Sequence, residues 1–213
     1  MTANRRPLHT YWSPKYWPTW IGMGLLRLAC VLPHRAALAV GRGIGRLAHR
    51  LGGSRRAVVR RNIELCFPDL GPGERDALAL EHFKALGMML IEMGLGRWAS
   101  DRRLAAITTL KGTEHVNRAI ENGQGVILLA GHFTTLEISG RILATRIPPF
   151  DGVYRKNRSE FVTELQRSGR ERTVAATIEK RDIKKVVRSL RECRPVWYAP
   201  DQSYNRKGAE KPS

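Results

Sequence analysis

The chain has 213 residues, enough to bury a sizeable core, and neither its 42% hydrophobic content nor its patterning fits a disordered or fibrous protein. Lys and Arg total 37 against 19 Asp and Glu, a formal charge of +18, so its partners are acidic: phosphates, an anionic membrane surface, nucleic acid or an acidic protein. The three cysteines, Cys30, Cys66 and Cys193, are scattered and odd in number, which argues against a disulfide framework. The six histidines are equally dispersed, so no structural metal is predicted.

The first predicted element is an apolar stretch from Trp17 to Leu32, interrupted by Arg27 and preceded by Tyr11, Trp12 and Tyr16. At 16 residues it is short of the roughly 20 that a membrane-crossing helix needs, but its aromatic cluster suits the lipid headgroup level. Residues 1–40 are therefore expected to form a membrane anchor or interfacial helix, the alternative being an ordinary buried helix. The remainder, residues 41–213, is expected to form one domain. Seven arginines and no acid lie between Arg42 and Arg61, with Arg42, Arg46 and Arg50 on one helical face. That stripe fits an anionic lipid surface on the cytoplasmic side, or a merely solvated helix. No helix-turn-helix, zinc-finger or ribonucleoprotein motif accompanies these charges, so no nucleic acid partner is expected.

Gly71-Pro72-Gly73 breaks the chain before a long amphipathic helix whose core face is predicted to carry Leu78, Phe83, Leu86, Met89, Leu90 and Met93. Beyond Lys111-Gly112, helices are predicted at 114–122, 134–146, 158–170 and 181–193. Strands are predicted at 125–130, 150–154, 173–177 and 195–199. This alternation predicts an α/β fold, a mainly parallel or mixed sheet flanked by helices. The run Gly125 to Ala130 is continuously apolar, the mark of a strand buried on both faces.

Ligands in such sheets bind beyond the carboxyl ends of the strands. Three polar groups fall there: His132, Arg155 within Tyr154-Arg155-Lys156-Asn157, and Asp201. His132 and Glu137 stand five residues apart, a step of about 500° that turns two helical side chains away from each other. With His132 in the turn and Glu137 in the first helical turn, the carboxylate can hold one ring nitrogen while the other takes a proton. The same spacing also fits a capping histidine beside a solvated glutamate. Arg155 offers a fork of donors for a phosphate or a developing oxyanion, or is a surface arginine; Asp201 is an active-site acid or a turn aspartate. Cys193 has no base beside it and is read as structural.

These motifs together resemble the late acyltransferases of lipid A biosynthesis, the lauroyl and myristoyl transferases, within the glycerolipid acyltransferase superfamily. The resemblance runs from Tyr16-Trp17-Pro18-Thr19-Trp20 through Arg61-Asn62-Ile63-Glu64-Leu65-Cys66-Phe67-Pro68 and Gly131-His132-Phe133 with Glu137. It continues in Tyr154-Arg155-Lys156-Asn157, Arg181-Asp182 and Val196-Trp197-Tyr198-Ala199-Pro200-Asp201. It implies that His132 is a general base oriented by Glu137, acting on a hydroxyl of a lipid A precursor. Arg155, Asn157 and Asp201 would contact substrate or order neighbouring groups. The acyl donor would be acyl carrier protein, whose acidic surface suits the basic helix from Lys180 to Arg191, with no metal or diffusible cofactor. The bacterial inner membrane, at its cytoplasmic face, would be the site of action. Members of the family normally continue past the Pro-Asp motif, so an incomplete carboxyl end is expected here, with an inactive, membrane-binding fragment as one outcome. Transfer to another glycolipid or a lysophospholipid is the alternative reaction.

Overall fold

The structure is a computed structural model and describes residues 7–154, 159–170 and 173–201. It is a helix-rich α/β chain with a small parallel sheet and divides into two compact units. His9–Thr108 and Glu137–Ile142 form a helical unit, and the sheet lies in the other, built from described residues of Thr109–Leu136 and Leu143–Ser213. Residue 40 lies inside the helix His34–Leu51.

In the helical unit, α1 (Trp17–Ala29), α2 (His34–Leu51), α3 (Gly53–Cys66), α4 (Pro72–Trp98) and α5 (Asp101–Ala105) follow one another with short turns. Thirteen residues make α1 about 20 Å long, against a hydrocarbon core of about 30 Å. Among the described residues no helix is long and apolar enough to cross a membrane, so the expectation of a transmembrane helix is not supported. Pro33 follows at the N-cap of α2, and the Arg103 guanidinium donates to the carbonyls of Cys30 and Leu32, closing the end of α1.

Helices α2 and α4 cross at very short range because glycine lines their contact. A Cβ on Gly45 would stand 2.2 Å from the Phe83 carbonyl oxygen, and one on Gly87 would stand 2.0 Å from that of Gly41. The buried positions of α4 are accordingly Ala79, Phe83, Gly87, Ile91, Gly94 and Leu95. Of the six side chains predicted for that face only Phe83 is fully buried, and Leu90 is exposed. Hydropathy picks out large apolar residues, whereas this interface is chosen by smallness. Ala37, Ile91, Leu95 and Leu104 then pack with Ile138 and Ile142 into the core of the unit.

The turn between α3 and α4 is held by charge. Arg75 donates to the Pro68 carbonyl at 2.6 Å, Arg60 pairs with Asp76 at 2.6 Å, and Arg61 bonds Glu64 at 2.8 Å. At the start of α4 the Glu74 carboxylate accepts from the Gly71 amide at 2.8 Å, satisfying a donor the helix itself leaves open.

The sheet unit contains α6 (Thr113–Glu121), β1 (Ile127–Leu129), β2 (Asp151–Tyr154), α8 (Glu160–Arg170), β3 (Ala176–Glu179), α9 (Ile183–Arg191) and β4 (Val196–Tyr198). Helix α7 (Leu136–Leu143) follows β1 in the chain. All three strand pairings are parallel, in the order β1-β4-β2-β3. One face of the sheet is closed by Ile147, Phe150 and Val174 with Leu128 and Trp197.

Strand β1 departs from expectation. It pairs only with β4, and Ile127 and Leu129 are 55% and 75% exposed, so it is an edge strand with one uncovered face among the described residues. An unbroken apolar run fits a strand covered on both sides, but it does not itself supply the covering element.

At the opposite ends of the strands, Asp151 is 2% exposed. Its Oδ2 accepts from the Ser189 hydroxyl at 2.6 Å and faces Arg194 Nε at 3.7 Å, which fastens β2 to α9 and the approach to β4. Cys193 adopts the left-handed backbone region at φ 55° and donates its thiol to the Gly123 carbonyl at 3.0 Å, a structural role.

Candidate functional site

The parallel register of β1 and β4 builds the site. Leu129 stands opposite Tyr198, so the residues three further along each chain, His132 and Asp201, emerge together beyond the carboxyl ends of the two strands. His132 lies in the turn between β1 and α7, as the sequence predicts, and Glu137 is the second residue of α7. Gly131 gives the turn room: a Cβ there would stand 2.9 Å from the Phe133 ring.

Asp201 bonds His132 twice. Its Oδ2 accepts from the His132 backbone amide at 2.7 Å, and its Oδ1 lies 2.6 Å from the ring Nδ1. The backbone amide above all, and then the ring, hold the Asp201 carboxyl below the ordinary carboxylate range. An ionised carboxylate can only accept, so the proton between these atoms belongs to Nδ1 and the lone pair falls on Nε2. That tautomer is the one a general base requires. The two side chains are 38% and 44% exposed, so a polar molecule can reach them from solvent.

The structure therefore brings together His132 and Asp201. The carboxylate on Nδ1 is Asp201, a position the sequence reading gave to Glu137. Glu137 belongs to the first turn of α7. Arg155 and Asn157 lie outside the described residues. The sequence carries a weak signal for the His132–Asp201 pair, since each polar residue follows its strand at the same distance, but strand order decides whether they meet.

Around the pair, Leu129 and Phe133 present exposed apolar surface. On α9, Lys184, Lys185, Arg188 and Arg191 are exposed together with Ile183 and Val187, a basic surface with an apolar strip. Asp182 caps this helix, its Oδ1 accepting from the Lys185 amide at 3.2 Å, and its carboxyl is held low mainly by the Lys185 side chain. Among the described residues no group of three His, Cys, Asp or Glu side chains is placed to hold a metal ion.

Comparison with known proteins adds three relatives and a family. The family model of bacterial lipid A biosynthesis acyltransferases matches residues 8–212. The lipid A biosynthesis lauroyltransferase of Escherichia coli (strain K12) is 36% identical over 196 residues, covering 92% of this chain and 64% of that protein. A lipid A biosynthesis acyltransferase of Haemophilus influenzae is 35% identical over 199 residues, covering 92% and 63%. The lipid A biosynthesis palmitoleoyltransferase of Escherichia coli (strain K12) is 34% identical over 196 residues, covering 92% and 64%. The matched region thus spans 63–64% of the length of these relatives.

Proposed function

This chain belongs to the bacterial lipid A biosynthesis acyltransferase family, and from that premise we propose that it moves a fatty acyl group from acyl carrier protein to a hydroxyl of a lipid A precursor. The observation that carries the reading is the pair of hydrogen bonds that Asp201 accepts from the backbone amide and ring Nδ1 of His132, beyond the ends of two adjacent parallel strands. Nε2 of His132 takes the proton as the acceptor hydroxyl attacks the thioester carbonyl. The tetrahedral intermediate collapses, the carbon–sulfur bond breaks, and the imidazolium returns its proton to the departing thiolate. The products are an ester and the carrier thiol. Asp201 holds the ring and its tautomer. Arg155 and Asn157 bind a phosphate of the acceptor or the oxyanion. No covalent acyl-enzyme is invoked, because the thioester is already activated and the hydroxyl attacks it directly.

The basic, partly apolar surface of α9 supports an acidic carrier as donor. Twelve Lys and Arg and no Asp or Glu precede Glu64, which supports work at an anionic surface, the cytoplasmic face of the bacterial inner membrane. That same charge favours as second reading a basic membrane-binding chain without transfer.

The test supplies the chain in anionic vesicles with a labelled acyl carrier protein thioester and either a tetra-acylated lipid A precursor or a lysophospholipid. Label is expected in the precursor alone. Label in the lysophospholipid alone overturns the acceptor, and membrane binding with no label in either supports the second reading.

A further inference from the structure

The sequence presents α2 as a basic helix, but the structure shows a second exposed feature on it. Val40, Ile44, Leu47 and Leu51 are all exposed, from 39% to 74%, and at about 100° per residue they fall within roughly 60° of arc. Ala37, Gly41 and Gly45 occupy a neighbouring arc and are buried; the Gly41 and Gly45 positions lie against α4. Arg42, Arg46 and Arg50 occupy a third, centred about 130° from the apolar stripe. One helix therefore carries a packing face, a bare apolar face and a cationic face. Helix α1, in the same unit, carries a comparable exposed stripe of Trp17, Ile21, Leu25 and Leu28.

We propose that α2 is itself a membrane-inserting helix: it lies in the plane of an anionic bilayer surface, with Val40, Ile44, Leu47 and Leu51 among the acyl chains and Arg46 and Arg50 at the phosphates. This rests on the membrane-surface reading above and deepens it, since that reading is otherwise satisfied by α1 alone. Charge complementarity selects the occupant. The stripe sits in a stretch of chain with no acidic residue before Glu64, so a covering partner should be anionic. The alternation of apolar and cationic arcs on a helix too short and too charged to span is the pattern of an in-plane helix.

Binding to vesicles of phosphatidylcholine, with and without phosphatidylglycerol, tests this independently of transfer chemistry. The wild-type chain is expected to prefer the anionic vesicles. Replacing two stripe residues, Ile44→Asp with Leu47→Asp, is expected to weaken that binding about 100-fold. Arg46→Gln with Arg50→Gln is expected to weaken binding to anionic vesicles about 25-fold and leave neutral ones unaffected. The arginine pair leaves the α4 contact untouched and decides the matter if the aspartate pair does not fold by circular dichroism. Val58→Asp, an exposed apolar position on α3, is expected to bind like wild type. A wild-type chain that binds no vesicle sinks the surface reading itself. Loss on Ile21→Asp with Leu25→Asp, but not on either α2 pair, leaves that reading standing and overturns this proposal. So does a wild-type dimer that the Ile44 and Leu47 pair dissociates while vesicle binding persists, which assigns the stripe to a second copy.

Discussion

Replacing Asp201 with asparagine keeps one hydrogen bond to His132 and reverses the other. The amide oxygen of Asn can still accept from the His132 backbone N–H, as Asp201 Oδ2 does at 2.7 Å. Its NH2 group then faces Nδ1, where Asp201 Oδ1 now sits at 2.6 Å, and can only donate. The imidazole responds by carrying its proton on Nε2, which removes the lone pair that should deprotonate the acceptor. In an enclosed triad the equivalent exchange lowers turnover by about 10⁴-fold. Here the partners are 38% and 44% exposed and water competes for both, so a loss of about 10²-fold is expected. The assay is single-turnover transfer from a labelled carrier thioester at pH 7.5, with thermal unfolding followed in parallel. Because the Asp201 carboxyl titrates below its ordinary range, its contribution to stability is complete above the unfolded value near 3.9 and disappears as pH falls through the lower folded value. The assay pH therefore reports on the tautomer and not on loss of the carboxylate. Transfer by Asp201→Asn within twofold of wild type would refute the assignment of Asp201 as the residue that holds the ring.

Three further outcomes follow from the packing. Gly45→Val places a Cβ 2.2 Å from the Phe83 carbonyl oxygen and should cost about 3 kcal/mol, a fall of roughly 10 °C in thermal midpoint by circular dichroism. Ser189→Ala strips the buried Asp151 of its 2.6 Å hydroxyl donor and should lower stability by about 2 kcal/mol in urea unfolding. Burial raises the Glu92 carboxyl, so ionising it penalises the folded state above the ordinary carboxylate range and not below it. Glu92→Gln should therefore raise the melting temperature at pH 8 and leave it unchanged near pH 3.

What the sequence makes legible is local. Alternating apolar runs and amphipathic segments place β2 within one residue of its position and predict a mainly parallel or mixed sheet, whose described pairings are parallel. They also put His132 in a turn and Glu137 in the first turn of a helix. The third strand begins three residues later than predicted, at Ala176, because Thr173 and Val174 turn back onto Arg170 before extended pairing begins. What escapes is long-range. The edge position of β1 and its pairing with β4 depend on strand order, which no local pattern encodes, and the His132–Asp201 bond follows from that order. The α2–α4 contact escapes for a different reason: glycine marks close approach only when the partner helix is known.

The central claim is that His132 removes the proton from the acceptor hydroxyl. Single-turnover transfer from a labelled acyl carrier protein thioester to a tetra-acylated lipid A precursor, by wild type and His132→Ala in the same vesicles, tests it most directly. Transfer by the wild-type chain is expected, with a loss of at least about 10³-fold in the variant and vesicle binding unchanged. Equal transfer by the two proteins would contradict it.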